Sequence, residues 1–320
     1  MNKKVCVIGG GTGISTILKG LKNYTKNISA IVSMSDDGGG SGILRSEYKM
    51  LPPGDVRSCL VALSNTEPLM QALLQYRFDK GSLEGQNVGN IIIAALNNIY
   101  GSFDKALYYM GNVFDITGRV IPVTLTDTHL VAELSTGDKI VGESIIPKMA
   151  YKLNGKIIKI TMIPKIPKAN KDAIKAIEDA DTIIIGPGSL YTSIIPNLII
   201  KGILDALKKS KAKKVYIANV MTQRGETLGM TLKDHILALE DHSYKGIFDI
   251  VLANDYRGEE KIFENYYEYE ESLPIFAKDE DKNFLKDRKI KLIENNFIEI
   301  KNSFIRHDTK KIGRSLSYYL

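Results

Sequence analysis

The chain contains 320 residues, of which 44% are hydrophobic and 25% charged, and it carries a formal net charge of +6. This balance excludes disordered and collagen-like chains, and the lysine-rich stretch 208–214 lacks the interleaved aromatic residues of a nucleic-acid-binding surface. The sequence has no apolar run of about 18 residues, and its two cysteines, Cys6 and Cys59, form no disulfide framework, so we expect a cytoplasmic protein without membrane insertion.

Short apolar runs alternate with longer amphipathic runs along the chain. This pattern predicts an α/β fold, with a Rossmann-like, doubly wound and mostly parallel sheet that carries helices on both faces. The apolar runs are rich in Val and Ile, as is typical of strands buried on both faces of a sheet. We predict core strands near residues 4–9, 28–34, 181–186, 215–220 and 248–253.

Two segments break this alternation. Residues of about 55–115 repeat apolar side chains at helical spacing and predict a helical insertion. Residues of about 120–163 are β-rich, and their Asn154-Gly155 pair predicts the turn of a β-hairpin. Because no repeat or low-complexity linker separates these parts, we predict a single domain over residues 1–320 that contains both insertions.

A glycine-rich loop follows the first predicted strand and opens a helix. Such a loop presents bare backbone N–H groups and a positive helix terminus, which suit an anionic phosphate. The dinucleotide-binding fingerprint is incomplete because Ile14 stands where its third glycine belongs, and the Walker motif is absent. A simple tight turn is the alternative. The candidate ligand-binding residues of this loop are Gly10, Gly11, Thr12 and Gly13.

A second glycine-rich loop, residues 36–42, follows the next predicted strand and begins with two aspartates. Asp36 and Asp37 are placed to bind a ribose or a metal, and the alternative for each residue is that it only caps its own loop. Two such loops at the carboxyl ends of adjacent parallel strands lie where open α/β sheets bind ligands. The pair of loops therefore predicts a nucleotide-binding site.

Asp55 and Arg57 lie just after a Pro-Pro-Gly turn, where a helix is predicted to begin. An arginine in the first turn is unfavourable for the helix dipole, so a phosphate partner would explain Arg57. Asp55 has a simpler alternative as the helix N-cap. Together with Asp37 it would also suit Mg²⁺, which prefers oxygen ligands, and this combination keeps an enzyme among the hypotheses.

A third loop of the same character, residues 186–193, follows a buried strand and precedes a helix predicted to start near Pro196. Its hydroxyl groups and its glycine backbone can bind phosphate or sugar oxygens. Polar loops around residues 85–90 and 219–227 supply amide side chains, although the first could be an ordinary helix cap. The candidate residues of these loops are Gly188, Ser189, Thr192, Ser193, Asn219 and Asn90.

These motifs occur in the same order in a known family. With the Pro-Pro-Gly-Asp-Val-Arg, Asn-Val-Met-Thr-Gln and Ile-Arg-His-Asp-Thr-Lys-Lys segments, the chain closely resembles the gluconeogenesis factor family, the YvcK or GlmR group. The resemblance covers essentially the whole chain, and the twelve-residue loop that starts at Gly186 is its most specific part. This family is similar in fold to the CofD 2-phospho-lactate transferases, so the resemblance implies a CofD-like domain.

The resemblance implies a cytoplasmic protein that binds UDP-sugars, chiefly UDP-N-acetylglucosamine. It also implies a link between carbon supply, cell-wall precursor synthesis and cell shape, made through a regulatory protein partner. Two ligand-binding residues carry over by motif: Arg306, whose guanidinium would bind the diphosphate, and Tyr267, whose ring would stack on uracil. Gln86 and Arg224 depart from the family pattern, in which we expect histidine and proline.

Three functional hypotheses stay open. No histidine lies in a nucleophile or zinc pattern and no Gly-x-Ser-x-Gly elbow is present, so we predict no catalytic residue. We favour a UDP-sugar-binding regulatory protein over a Mg²⁺-dependent phosphotransferase of the CofD type, with Asp37 and Asp55 as metal ligands, and over a dinucleotide-dependent enzyme. UDP-N-acetylglucosamine is the expected ligand, and Mg²⁺ and a homo-oligomer are left open.

Overall fold

The fold is built on a seven-stranded parallel sheet. The computed structural model describes residues 3–258, 263, 270–301 and 304–319. All neighbouring strands of the central sheet pair in parallel, which confirms the predicted α/β class. In spatial order the strands are β10 (Lys291–Asn295), β9 (Ile250–Asn254), β8 (Lys213–Ile217), β7 (Thr182–Ile185), β1 (Val5–Gly9), β2 (Ile28–Val32) and β3 (Arg119–Pro122).

Alternate side chains of each central strand enter two different apolar cores. Val5 and Val7 of β1 pack into one core, whereas Cys6 and Ile8 pack into the other. This follows from the two-residue period of a strand and explains why β1 is buried along its whole length. The five predicted core strands are confirmed to within a few residues, and the sheet contains two further strands, β3 and β10, at its edges.

Helices cover both faces of the sheet. The predicted helical insertion corresponds to α3 to α6, which follow one another in the chain before β3. In the part of the chain that the structure describes, no helix is long and apolar enough to cross a membrane. The helices include α1 (Gly11–Leu21), α2 (Gly39–Tyr48), α3 (Gly54–Leu63), α4 (Pro68–Gln75), α5 (Val88–Tyr100), α6 (Phe103–Val113), α7 (Ile146–Lys152), α8 (Lys171–Glu178), α9 (Ile195–Leu198), α10 (Ile203–Lys209), α11 (Leu232–Asp241), α12 (Asp279–Asp287) and α13 (Thr309–Ser317).

Two small antiparallel sheets accompany the central one. The first has the order β5–β4–β6, with β4 (His129–Leu134), β5 (Lys139–Val141) and β6 (Ile157–Ile163). The second pairs β11 (Ile298–Lys301) with β12 (Phe304–His307). The β-rich segment predicted at 120–163 therefore contributes its first strand, β3, to the central sheet and its later strands to a separate sheet.

The hairpin predicted at Asn154-Gly155 is wrong. These residues close α7, where the Gly155 N–H donates to the carbonyl of Ala150 at 2.9 Å and Asn154 adopts a φ of 49°. Asn-Gly suits a left-handed helix end as well as a hairpin turn, and the local sequence does not distinguish them. The hairpin turn lies instead between β4 and β5, where the Leu134 N–H donates to Asp138 at 2.9 Å.

Candidate functional site

A cavity of about 410 Å³ opens at the carboxyl ends of β1 and β7, between residues 9–13 and the loops after β7 and β8. The chain runs outward from β1 to β3 on one side and from β7 to β10 on the other, so the strand order reverses here. Open α/β sheets bind ligands at this switch point. The predicted site residues that line the cavity are Gly10, Gly11, Thr12, Gly13, Gly188, Ser189, Ser193, Asn219 and Arg306.

The loops beside β1 and β7 meet through their backbones. A Cβ atom added to Gly13 would lie 2.4 Å from the carbonyl oxygen of Pro187 and 3.0 Å from the Cα of Gly188. Separations this short are far inside van der Waals contact, so no residue with a side chain fits while the loops keep their places. Gly13 is therefore needed for the close approach of the two loops.

Asn219 holds the loop after β7 in position. Its Oδ1 accepts from the N–H of Gly188 at 3.1 Å, and its Nδ2 donates to the carbonyl of the same residue at 2.8 Å. Beside it, the Nε2 of Gln223 donates to the hydroxyl of Ser189 at 2.9 Å. Both polar atoms of the Asn219 side chain are used within the protein, so Asn219 positions the wall of the cavity.

Thr192 lies in a π-helical turn, Leu190–Ile194, that starts six residues before the helix predicted near Pro196. Its hydroxyl donates to Oε1 of Glu226 at 3.0 Å, and the N–H of Tyr191 donates to Oε2 at 3.2 Å. Burial raises the pKa of Glu226 to about 7, although these hydrogen bonds oppose the shift. Thr192 thus binds Glu226 and does not line the cavity, whereas the neighbouring Ser193 does.

Asp55 connects α3 to the glycine loop of β1. Its Oδ2 accepts from the N–H of Gly11 at 2.6 Å across 44 residues of sequence. The pKa of Asp55 is raised to about 6, chiefly by burial and also by the charge of Asp36, while the Gly11 hydrogen bond opposes the rise. The N-cap of α3 is Pro53, so Asp55 lies in the first turn of the helix and serves the loop rather than the cap.

Asp37 holds the segment before α7. Its two carboxylate oxygens accept from the N–H groups of Glu143 at 3.0 Å and Ser144 at 2.9 Å. Burial, together with the nearby acidic residues, Asp36 foremost, raises the pKa of Glu143 to about 8. Glu143 and Glu226 belong to this acidic region, but sequence reasoning missed both because each is a lone acidic residue in a polar stretch.

Arg57 and Asn90 pair with each other on the far side of Asp55. The Nε of Arg57 donates to Oδ1 of Asn90 at 2.9 Å, and burial lowers the pKa of Arg57. Asp36 uses one oxygen to accept from the N–H of Gly38 at 3.0 Å. The predicted residues Asp36, Asp37, Arg57 and Asn90 therefore form a second polar group, which lies outside the cavity lining and adjoins it through Asp55.

The two predicted Mg²⁺ ligands, Asp37 and Asp55, contact different backbone segments. Asp37 and Asp55 each direct carboxylate oxygen toward backbone N–H donors. Among the described residues, no group of three or more His, Cys, Asp or Glu side chains is arranged to hold a metal ion. Mg²⁺ is usually held by one or two carboxylates together with waters and substrate phosphates, so Mg²⁺ binding by Asp37 and Asp55 stays a prediction.

Arg306 reaches the cavity from β12, where its guanidinium lies 4.9 Å from the ring centre of Phe304 and its Nη1 donates to Ile305 at 3.3 Å. The next residue, His307, donates through Nε2 to the carbonyl of Ala218 at 3.0 Å and so fixes β12 to the end of β8. Tyr267 lies outside the described residues.

His307 predicts a loss of stability in acid. Burial lowers its pKa to about 4, and the Arg306 charge contributes, so the folded state holds the ring neutral. The neutral ring contributes to the free energy of unfolding. This contribution is complete above about 6.5, the pKa of the histidine in the unfolded chain, and is lost as the pH falls toward 4. Between pH 7 and pH 5 the wild type should lose about 2 kcal/mol more unfolding free energy than His307→Gln, which keeps a donor, in urea titrations. Equal losses in the two proteins would contradict this assignment.

The two departures from the family pattern have different surroundings. Gln86 is buried, and its Oε1 has no hydrogen-bond partner among the residues that the structure describes. Arg224 is exposed, lies 4.0 Å from the ring centre of Tyr151 and forms an ion pair with Glu271 at 3.3 Å. The hydroxyl of Tyr151 donates to the same carboxylate at 3.0 Å. Arg224 therefore joins the cavity wall to α7.

This fold, with its cavity at the switch point, belongs to a CofD-like α/β protein. The family described as 2-phospho-L-lactate transferase CofD matches residues 5–298 of the chain. Two crystal structures of a Bacillus halodurans protein are similar over nearly the whole chain. One has a TM-score of 0.93 at 40% identity and covers 99% of both chains. The other, described as a member of the UPF0052 family, has a TM-score of 0.92 at 41% identity and covers 98% of this chain and 99% of its own.

Relatives known by sequence define the family more narrowly. The gluconeogenesis factor of Bacillus subtilis is 43% identical over 314 residues, which are 98% of this chain and 96% of that protein. A relative from Thermoanaerobacterium thermosulfurigenes is 49% identical over 314 residues, with coverage of 98% and 95%. The chain belongs to the gluconeogenesis factor family, as its motifs predict.

Proposed function

We propose that this protein binds a UDP-sugar, chiefly UDP-N-acetylglucosamine, in the cavity at the ends of β1 and β7, and that it acts as a cytoplasmic regulatory protein. The observation that carries the proposal is that Arg306 and the N-terminus of α1 line the same switch-point cavity. A diphosphate between them would meet a guanidinium on one side and backbone N–H groups on the other. The cavity volume lies within the range of small-molecule sites.

The start of α1 is suited to an anion. Its N-cap, Gly10, provides no side-chain cap, and the first turn contains no acidic residue. The N–H of Gly11 is already bound by Asp55, so the N–H groups of Thr12 and Gly13 are the donors that a phosphate would meet. The backbone N–H groups at a helix N-terminus and the helix dipole both favour the diphosphate of a nucleotide sugar.

Tyr267 is the proposed partner of the uracil ring. It precedes Glu270, which lines the cavity, by three residues. Stacking on an aromatic ring contributes about 1–3 kcal/mol per base. Tyr267→Ala should therefore weaken UDP-sugar binding about tenfold or more, whereas Tyr267→Phe, which keeps the ring, should bind within about threefold of the wild type in calorimetric titration. Equal binding by the alanine variant would remove Tyr267 from the site.

The regulatory part of the proposal rests on the chemistry of the site and on the relatives. Asp37 and Asp55 both accept from backbone N–H groups, which gives these carboxylates a structural role and supports the regulatory hypothesis over the phosphotransferase. The Bacillus subtilis relative is named for gluconeogenesis. We propose that the UDP-sugar reports cell-wall precursor supply during gluconeogenic growth and that the loaded protein contacts a regulatory protein partner, with consequences for cell shape.

A ligand panel distinguishes the proposal from its alternatives. Thermal unfolding is followed with UDP-N-acetylglucosamine, UDP, GDP or NADPH, each with Mg²⁺ and with EDTA, because a ligand of the folded state raises the melting temperature. We expect the UDP-sugar to give the largest rise in both buffers. A rise that appears only with Mg²⁺ would favour the transferase, and a larger rise with NADPH would favour a dinucleotide-dependent enzyme.

A further inference from the structure

The helix α4 exposes an apolar face to solvent. Leu69 is 79% exposed, Leu73 47% and Tyr76, at the end of the helix, 50%. The spacing of 69, 73 and 76 places these side chains along one side of the helix. Among the residues of α4, Leu74 is the one buried side chain. Most of the helix surface therefore faces solvent. We name Leu69, Met70, Leu73 and Tyr76 the α4 surface.

This surface has no charged side chains within its helix. Neither α4 nor α5, against which it packs, contains Asp, Glu, Lys or Arg, although 25% of the chain is charged. The N–H of Val88 at the start of α5 donates to the carbonyl of Tyr76 at 3.0 Å and connects the two helices. A helix that faces solvent normally has a polar outer face. A contiguous apolar face without one is typical of an interaction site.

Opposite charges flank α4. Glu67 immediately precedes the helix and Arg77 follows it by two residues, and both side chains are exposed. The Arg77 guanidinium donates to the carbonyl of Gly85, which holds it at this end of the helix. The order along the surface is therefore acidic, apolar and basic. An antiparallel copy of the same surface presents the reverse order.

We propose that the α4 surface binds the α4 surface of a second copy of this chain about a two-fold axis. In such an interface a residue that contacts a second residue of the partner is itself contacted by the partner's copy, so every off-axis contact occurs twice. Glu67 then lies opposite the partner subunit's Arg77, and both ion pairs form. Ala72 lies midway between the two charges, and its small side chain lets the helices approach closely at the axis. The arrangement explains both the uncharged face and its oppositely charged ends.

The size of the surface sets the strength of the dimer. An eight-residue helix is about 12 Å long, so the contact is smaller than the roughly 800 Å² per partner of a standard interface. The dimer is therefore weak, and we expect a dissociation constant of about 10 to 100 µM. No residue of the α4 surface lines the cavity, so the inference does not depend on the proposed ligand.

Sedimentation equilibrium from about 1 to 200 µM measures the association directly. We expect the wild type to approach a dimer at the upper end and Leu73→Asp to stay a monomer, because a buried carboxylate opposes association. Ile166→Asp is the matched control: Ile166 is 66% exposed and lies outside the α4 surface, so this variant should associate like the wild type. Circular dichroism confirms that each variant folds. A wild type that is monomeric at 200 µM overturns the proposal, and so does a dimer that Leu73→Asp leaves intact.

A charge swap tests the orientation. Glu67→Arg and Arg77→Glu should each weaken association at least about tenfold, since each places two like charges opposite one another in both ion pairs. The double variant, Glu67→Arg with Arg77→Glu, restores opposite charges and should associate within about threefold of the wild type. A double variant as weak as either single variant overturns the antiparallel arrangement.

Discussion

Gly13→Ala is expected to abolish UDP-sugar binding and to lower the free energy of unfolding by about 2 kcal/mol, as overpacked interiors do. On helix propensity alone the change would stabilise α1 by up to about 1 kcal/mol. The packing effect is larger, because the new Cβ would meet the Pro187 carbonyl oxygen at 2.4 Å and its carbon at 2.7 Å. Both are backbone atoms, so the loops must separate, and the cavity wall moves with them. Urea unfolding and calorimetric titration measure the two effects.

Gly38→Ala is the matched control for this substitution. Gly38 also opens a helix in a glycine-rich loop, but an added Cβ would lie 3.5 Å from its nearest neighbours, an Asp36 oxygen and the Cβ of Ser144. These are ordinary contacts, and its φ of −89° suits any residue. We expect Gly38→Ala to stay within about 1 kcal/mol of the wild type. Wild-type stability in Gly13→Ala would show that the loops are not held in contact.

Arg306→Ala is expected to weaken UDP-N-acetylglucosamine binding about 100-fold while the melting temperature stays within a few degrees. A hydrogen bond to a charged group contributes about 1.5–3 kcal/mol, and a guanidinium can donate two of them to a diphosphate. The Arg306 side chain is exposed, so its loss removes little packing. Calorimetric titration of the variant beside the wild type measures the change.

Two variants control the Arg306 experiment. Arg306→Lys keeps the charge but loses the bidentate geometry, so we expect intermediate affinity. Arg314→Ala removes an exposed arginine of α13 that does not line the cavity and should bind like the wild type. If Arg306→Ala binds as tightly as Arg314→Ala, the diphosphate does not lie beside β12.

The central strands could be predicted from the sequence because burial on both faces leaves a continuous apolar run. The edge strands could not, since β10 is half-exposed and mixed in composition, and β3 is short and ends in proline. The glycine loops were predictable for a related reason. Close contact between two backbones leaves no room for a side chain, so a position such as Gly13 must be glycine and is visible in the sequence.

The second polar group could not be predicted because its bonds join distant parts of the chain. Asp37 was predicted to bind a ligand or a metal, yet it accepts from the backbone of residues 106 and 107 positions away. Nothing local to Glu143 or Glu226 reveals their burial, which arises from tertiary packing alone. The sequence predicts polar residues at the carboxyl ends of the central strands, but tertiary packing determines which of them line the cavity.

Calorimetric titration of the wild type with UDP-N-acetylglucosamine in EDTA tests the central claim most directly. We expect saturable binding near one ligand per chain, with an affinity unchanged when Mg²⁺ replaces EDTA, because the cavity supplies N–H groups and a guanidinium for the diphosphate. Absence of binding in both buffers would contradict the account, and binding that requires Mg²⁺ would return Asp37 and Asp55 to the role of metal ligands.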